Sequence, residues 1–379
     1  MTGIYVHIPY CVRKCAYCDF CSVPRDDTMG AYPAALCREI ELSRDRLPYE
    51  GPVPSIFFGG GTPTVLSAEA LSGVLDTIRR TYDLLPEAEI SIECNPGTAD
   101  FQKLKRLREA GFNRLSLGLQ ATENSLLQSI GRIHTFEQFL STYQAAREAG
   151  FHNINVDLMH GLPGQTQQMY LKSLETVCDL EPEHISAYAL ILEEGTPLYE
   201  QVQMGRTILP DEDAVADMED AGMAYLTWRG FERYEVSNFA KPGYACRHNL
   251  SYWDHAPYLG FGVAAHSSAK GKGEWLRWSN TESIPSYIKK LQKDKLPRQE
   301  TLHIDKKEEA FEVVMLGLRK VAGIPKNAFI DRFGLTMEQA FPEAYVEIQC
   351  HGWWADTDTH YRLTPKGMDY LNTALCYFR

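Results

Sequence analysis

Residues 7–22 read HIPYCVRKCAYCDFCS and hold four of the chain's ten cysteines within positions 11–21. The first three are spaced C-x3-C-x2-C (Cys11, Cys15, Cys18), and Cys21 follows three residues later. The other six, at 37, 94, 178, 246, 350 and 376, are scattered. A disulfide framework is short, secreted and evenly cysteine-rich, whereas a tight cluster in a long chain points to metal or redox chemistry. Three thiolates can hold three irons of a four-iron cubane, leaving the fourth iron without a protein ligand. Two other readings stay open on spacing alone. Zinc would need four closed ligands, with Cys21 as the fourth, although it favours paired C-x2-C or histidine sets. The thiols could also be plain buried cysteines.

Just before the cluster lies the apolar run Ile4–Ile8. Further β-like runs follow at Ser55–Phe58, Ile90–Glu93, Arg114–Leu119, Ile154–Leu158 and His184–Leu192, each closed by Gly, Pro or a polar group. Helical patterns alternate with them. Leu71, Val74, Leu75 and Ile78 share one face of Ala68–Arg80, and Phe101, Leu104 and Leu107 share one face of Asp100–Ala110, with Gly111 as the stop. LREAGFNRLSLGLQ from Leu107 and AREAGFHNINVDLM from Ala146 are the same helix–strand unit used twice. Alternating β and α elements predict a parallel sheet curled by right-handed crossovers into a partial TIM-type (β/α)6 barrel over residues 1–230.

Such folds gather their chemistry at the C-terminal ends of the strands, and the conspicuous residues fall there. After the second strand comes Phe57-Phe58-Gly59-Gly60-Gly61-Thr62-Pro63-Thr64, whose glycines allow close backbone approach to a ligand or simply make a turn. Glu93 ends the third strand, where a carboxylate can accept from both hydroxyls of a ribose or lie exposed. Gln120 and Asp157 end the next two. Arg132 can grip a carboxylate bidentately or be a surface arginine at the helix end Ser129–His134. Together these groups suit S-adenosylmethionine (SAM), whose amino and carboxylate groups would chelate the open iron.

The chain has 379 residues, 44% hydrophobic and 23% charged, with a net charge of −12. That composition is globular, and the acidic balance argues against nucleic acid as substrate. The N-terminus MTGIYVHIPYC lacks the basic and apolar regions of a signal peptide, so a cytoplasmic location is expected. Residues 231–300, rich in aromatics and glycine, read as an irregular connection. Residues 301–379 read as a small, mainly helical domain in which Phe311, Val314, Met315, Leu318 and Ala322 share a helix face. His351–Phe378 looks like a winged-helix-type hairpin and last helix.

These motifs extend into a family resemblance. C-x3-C-x2-C with GGGTPT resembles the radical-SAM superfamily. YVHIPYC, FGGGTPT, IECNP, LGLQ, GRIH, DLMHGLPGQT, YALILEEGTPL, YEVSNFAKPGYACRHNLSYW, YLGFGVAAHS, MLGLR and YRLTPKG are similar to the oxygen-independent coproporphyrinogen III oxidase-like family, and within it to the haem-chaperone branch. The resemblance spans almost the whole chain. It implies a [4Fe-4S] cluster on Cys11, Cys15 and Cys18, a first SAM at Tyr5, Gly60, Gly61, Thr62 and Glu93, and a second at Tyr17, Gln120, Arg132, Asp157 and Ala187. His248, Tyr252 and Trp253 match the branch's H-N-x-x-Y-W haem motif. Two departures favour the chaperone over the dehydrogenase: Phe20 stands where the dehydrogenase has a fourth cysteine, and only ten residues precede Cys11. The resemblance further implies delivery of haem to acceptor haemoproteins, including membrane respiratory enzymes that would draw the protein to the membrane periphery. An electron donor such as flavodoxin or ferredoxin is implied too, and a homodimer is one assembly open to it.

Overall fold

The computed structural model describes residues 1–355 and 357–379. Six parallel strands form its centre: β1 (Gly3–Ile8), β2 (Val53–Gly60), β3 (Leu84–Cys94), β4 (Arg114–Gln120), β5 (Ile154–His160) and β6 (His184–Ala189). Neighbours in sequence are neighbours in the sheet, with Ile4 beside Ile56, Ser91 beside Arg114, Leu115 beside Ile154 and Val156 beside Ile185. The helices between and after them are α1 (Tyr32–Ser43), α2 (Ala68–Thr81), α3 (Phe101–Ala110), α4 (Phe136–Glu148), α5 (Gln167–Cys178) and α6 (Glu212–Trp228). This is the partial (β/α)6 barrel expected from the alternation.

Local chemistry sets the helix ends. Ser67 caps α2 by accepting from the Ala70 amide, and Asp100 caps α3 by accepting from Lys103. Gly111 stops α3 in the left-handed region at φ 105°, which costs glycine little. Along each strand the period of two divides the work. Val6, Ile56, Phe58, Ile92, Leu115, Leu117, Val156 and Ile185 are fully buried, forming one core with Leu71, Leu75, Leu104 and Leu174 from the helices. The alternate residues face the lumen and are mostly polar. Asn155 donates to Ser116 Oγ (2.8 Å) and Asp157 Oδ1 (2.7 Å), and its Oδ1 accepts from His184 (2.6 Å) and Ser186 (3.2 Å).

Residues 231–300 differ from the irregular connection that their composition suggests, because they extend the sheet at both edges. β7 (Glu232–Arg233) and β8 (Asn238–Ala240) add antiparallel strands beside β6. β9 (Tyr258–Phe261) runs parallel to β1 and leads into the antiparallel β10 (His266–Lys270), β11 (Trp275–Asn280) and β12 (Arg298–Ile304). Glycine misleads here because it serves packing rather than looping. A Cβ on Gly260 would lie 2.0 Å from the His266 carbonyl oxygen.

The segment with the H-N-x-x-Y-W pattern is a helix, α7 (Arg247–Trp253). Beyond β12, α8 (Lys306–Gly317) and α9 (Lys326–Phe333) belong to a second apolar core running from Ala310 to Phe378. The expected hairpin is reduced to Ile324–Pro325 against His360–Tyr361, and the last helix is split into Pro365–Asp369 and Leu371–Cys376. Asp356, within that expectation, lies outside the described residues. A charged seam joins the two cores. His255 Nε2 and Arg277 both reach Glu312 Oε2 (2.9 and 2.7 Å), Arg332 donates to His255 Nδ1 (2.7 Å), and Lys320 pairs with Asp254. Among the described residues, no helix is long and apolar enough to cross a membrane.

Candidate functional site

The cysteine loop sits on the C-terminal mouth of the barrel, pinned from two sides. The Ala16 amide donates to the Ile130 carbonyl (3.0 Å), Arg13 donates to the Gly131 carbonyl (2.9 Å), and the Ala16 carbonyl accepts from the Leu198 amide (2.8 Å). Gly131 has φ 76°, and a Cβ there would lie 3.0 Å from the Ala16 nitrogen, so the loop rests directly on main chain.

The loop closes over a cavity of about 240 Å³. Cys11, Cys15, Cys18, Tyr17, Gly60, Gly61, Thr62, Glu93, Gln120, Arg132 and Asp157 all line it. Cys11 and Asp157, 146 positions apart in sequence, therefore meet in one place, as the strand-end reading requires. Tyr5 is not among the lining residues. It lies beneath them, its ring 6.5 Å from that of Phe57 and its hydroxyl donating to His7 Nδ1 (3.1 Å). Ala187 is also not among them. Ser186 and Tyr188 take the lumen side of β6, so the Ala187 methyl falls in the apolar layer under the helices. Arg132 is not the surface arginine of a helix end. The short helix stops at Ser129, Gly131 turns the chain, and Arg132 is buried in the cavity wall.

The triple glycine carries a second burden beside the close approach expected of it. A Cβ on Gly61 would lie 2.7 Å from the Tyr10 carbonyl oxygen, and one on Gly60 would lie 2.6 Å from the His7 ring. One on Gly59 would press the Glu93 carboxyl at 3.2 Å. The glycines first allow the protein to close on itself at the root of the cysteine loop, and by doing so they shape the ligand wall.

The thiols are set among donors. Thr62 Oγ1 lies 3.6 Å from Cys11 Sγ, and Arg132 Nη1 lies 3.6 Å from Cys15 Sγ. Asn95 ties these two donors together, giving a hydrogen bond to Thr62 Oγ1 (2.7 Å) and accepting one from Arg132 Nη2 (2.8 Å). Arg132 also donates to the Gly118 carbonyl. Among the described residues, no three His, Cys, Asp or Glu side chains are placed to hold one metal ion. A cubane takes one thiolate per iron, so its ligands need not converge on a point. Cationic and hydroxyl donors around the sulfurs suit thiolate ligands, so the donor set fits an iron–sulfur cluster.

Deeper in the cavity the electrostatics turn acidic. Burial pushes the Glu93 carboxyl up to about 8, and nearby Asp157 adds to the shift against a hydrogen bond from the Gly60 amide. Asp157 is raised as well, chiefly by burial, with bonds from Ser186 and Asn155 opposing. A cationic ligand between the two would relieve both. Gln120 takes a positive φ of 77° and accepts from the Tyr188 hydroxyl (3.0 Å). Positive φ in a non-glycine residue is strain of the kind stored at functional sites.

Sequence reading missed His7, Asn95 and Tyr188. His7 and Asn95 lie inside the quoted HIPYC and IECNP runs, but nothing in spacing shows whom they touch. Burial lowers the His7 imidazole, so it is neutral. Its Nδ1 accepts from Tyr5, and its Nε2 donates to the Cys21 carbonyl (2.8 Å). His7 thus ties β1 to the cysteine loop. The main chain of Cys21 serves this tie, and its thiol does not line the cavity.

The H-N-x-x-Y-W residues lie at the other end of the barrel. α7 plugs the floor, with its first turn capped by Glu89. That buried carboxylate accepts from the Arg247 amide (3.0 Å), the His248 amide (3.1 Å) and the Cys246 thiol (3.3 Å). His248 is 1% exposed. Its Nδ1 bonds Ser55 Oγ (2.9 Å), its Nε2 bonds the Tyr252 hydroxyl (3.0 Å), and its ring stacks on Phe57 at 5.4 Å. Burial pushes this imidazole down to about 4. Trp253 lies under the Arg319 guanidinium of the second core, 5.8 Å away.

A part-barrel whose mouth brings three loop cysteines, a glycine turn and two strand-end carboxylates into one cavity defines a radical-SAM protein. Residues 5–177 match the family model described as the Radical SAM superfamily, and residues 304–370 match the HemN C-terminal domain. The heme chaperone HemW of Bacillus subtilis is 37% identical over 97% of this chain and 96% of its own length. That of Escherichia coli is 34% identical over 99% and 97%. The solved structure of Escherichia coli coproporphyrinogen III oxidase (HemN), a radical SAM enzyme, covers 100% of this chain and 89% of its own, with TM-score 0.85 at 23% identity, which shows a shared fold. The chain belongs to the HemW family of radical-SAM proteins.

Proposed function

We propose that this protein is a radical-SAM haem chaperone: it holds a [4Fe-4S] cluster on Cys11, Cys15 and Cys18, binds SAM beside it, and carries haem to acceptor haemoproteins. The observation that carries the reading is the convergence of the cysteine loop, Gly60–Thr62, Glu93, Arg132 and Asp157 on one cavity, in a chain whose full-length relatives are named heme chaperones. The cluster would supply one-electron chemistry. The chain's own part is to orient SAM, through Glu93 and Asp157 and the main chain of the glycine turn, and to screen the site with the loop. Phe20, at the fourth-cysteine position, favours the chaperone over coproporphyrinogen dehydrogenation. Haem acceptors, membrane respiratory enzymes among them, a flavodoxin- or ferredoxin-type electron donor, and a homodimer belong to the same proposal, as does action in the cytoplasm.

The motif residues His248, Tyr252 and Trp253 are part of this reading as the element that responds to haem. With both nitrogens of His248 engaged, axial ligation there requires α7 to leave the floor. The test is anaerobic reconstitution followed by haem titration, with coproporphyrinogen III, SAM and a reductant in a parallel assay. Stable haem binding without protoporphyrinogen is expected. Multiple turnovers to protoporphyrinogen would replace the chaperone with a dehydrogenase.

A further inference from the structure

The rim of the cavity is unlike the surface around it. Phe20 is 63% exposed, Val12 43% and Ile133 45%. Val12 and Phe20 flank the cluster cysteines, and Ile133 follows the turn on which that loop rests. Between them stand Arg13 and Lys14, both exposed and both lining the cavity. Their side chains donate to main-chain carbonyls, Arg13 to Gly131 (2.9 Å) and Lys14 to Phe20 (2.8 Å). Among the described residues, neither pairs with a carboxylate. Two uncompensated cations beside three bare apolar side chains stand out in a chain of net charge −12.

We propose that this rim, rather than the barrel floor, is where haem first seats, a site that rests on the haem-chaperone reading above. Haem is a flat apolar ring with two propionates on one edge. The ring would cover Phe20, Val12 and Ile133, and the propionates would pair with Arg13 and Lys14 through charge-assisted hydrogen bonds. The scale favours a small amphiphile over a protein partner. A stable protein interface needs about 800 Å² per side, and three part-exposed apolar side chains flanked by two cations present far less. His248 offers no competing open ligand, since both its ring nitrogens are engaged.

The test uses full-length protein, reconstituted anaerobically, titrated with haem and with haem dimethyl ester while the Soret band is followed. In the unaltered protein the ester, which lacks the propionate charges, should bind about tenfold more weakly or worse, and only haem binding should weaken with added salt. In the double variant Arg13→Gln, Lys14→Gln the two ligands should become equal within about threefold. Phe20→Ser should weaken both alike. Equal affinities in the unaltered protein, or the same preference in the double variant, overturn the site. So does unchanged haem affinity together with slower cluster reduction by flavodoxin, which would make the rim a carrier face. Should the double variant fail to take up iron, Phe20→Ser, a change at an exposed side chain, still places or removes haem at the rim. If the unaltered protein binds no haem at all, the chaperone reading fails with it. Haem binding without an ester penalty removes the rim alone.

Discussion

Gly61→Ala is the sharpest single probe of the cysteine loop. The added methyl would lie 2.7 Å from the Tyr10 carbonyl oxygen and 3.0 Å from that of Ile8. Both obstacles are main chain, and both carbonyls are in use: Ile8 O accepts from the Gly61 amide and Tyr10 O from the Thr62 amide, each at 2.8 Å. No side chain can swing aside, so β1 and β2 must part just before Cys11. Overpacking of this kind costs about 1–3 kcal/mol. Weakening the two backbone bonds adds about 0.5–1.5 kcal/mol each if they break. Gly73→Ala makes the control. It lies inside α2 with nothing within 4 Å of the new methyl, and replacing a mid-helix glycine with alanine should gain about 0.5–1 kcal/mol. Urea denaturation of the apo-proteins and iron content after reconstitution measure the pair. Gly61→Ala should unfold earlier and take up less iron, while Gly73→Ala should unfold later with full iron. A Gly61→Ala protein as stable as the parent and fully loaded would refute the account of the glycine turn.

Cys15→Ala should abolish the brown chromophore and SAM binding, and a retained chromophore would remove Cys15 from the ligand set. Arg132→Met should leave the fold intact but strip a donor from Cys15, Asn95 and the Gly118 carbonyl, so SAM affinity measured by equilibrium dialysis should fall about tenfold or more. Glu39 is buried under the Gly262–Ala265 turn and takes bonds from Gly262 N (2.8 Å), Asn280 (2.5 Å) and the Tyr287 hydroxyl (2.5 Å), yet burial still lifts it from 4.5 to about 7. A carboxyl raised on folding stabilises fully below pH 4.5 and loses that contribution as pH rises through 7. The parent should therefore lose up to about 3 kcal/mol across that window relative to Glu39→Gln. Parallel stability curves for the two proteins would contradict the shift. Glu312→Ala leaves the buried His255 and the part-exposed Arg277 without their shared acceptor, which should cost about 1–3 kcal/mol and release residues 305–379 to limited proteolysis earlier than in the parent.

The sequence exposed the barrel because its outer face is written in a simple code. Apolar residues at every second position of the strands, and at helical spacing between them, mark one side of each element, and Ser67, Asp100 and Gly111 mark where helices begin and end. The site was legible for a related reason, since ligands collect where strands end and the cysteine loop, the glycine turn, Glu93, Gln120 and Asp157 all announce such ends. What stayed hidden depends on partners distant in sequence. His7 matters because Cys21 and Tyr5 lie on either side of it, Asn95 because it joins Thr62 to Arg132, and Arg132 because Gly131 turns it inward. Ala187 followed the family resemblance, but the period of β6 sends its methyl outward. The glycines at 260 and 262, read as looseness, are points where two backbones nearly touch. The aromatics of α7, matched in sequence to a haem motif, fill the floor of the barrel.

The alternation along the strands has a consequence of its own. Each strand is read in two registers, one facing the helices and one facing the lumen, and these registers carry separate duties. The aliphatic core lies between the sheet and the helices, so the inner register is freer to be polar, ionisable and strained. A lineage could rewrite Glu93, Ser116, Asp157 or Tyr188 and alter what the barrel does while Ile92, Leu117, Val156 and Ile185 keep it standing. The same separation sets a limit at Gly59–Gly61, where both registers depend on the absence of a side chain and neither can drift without the other.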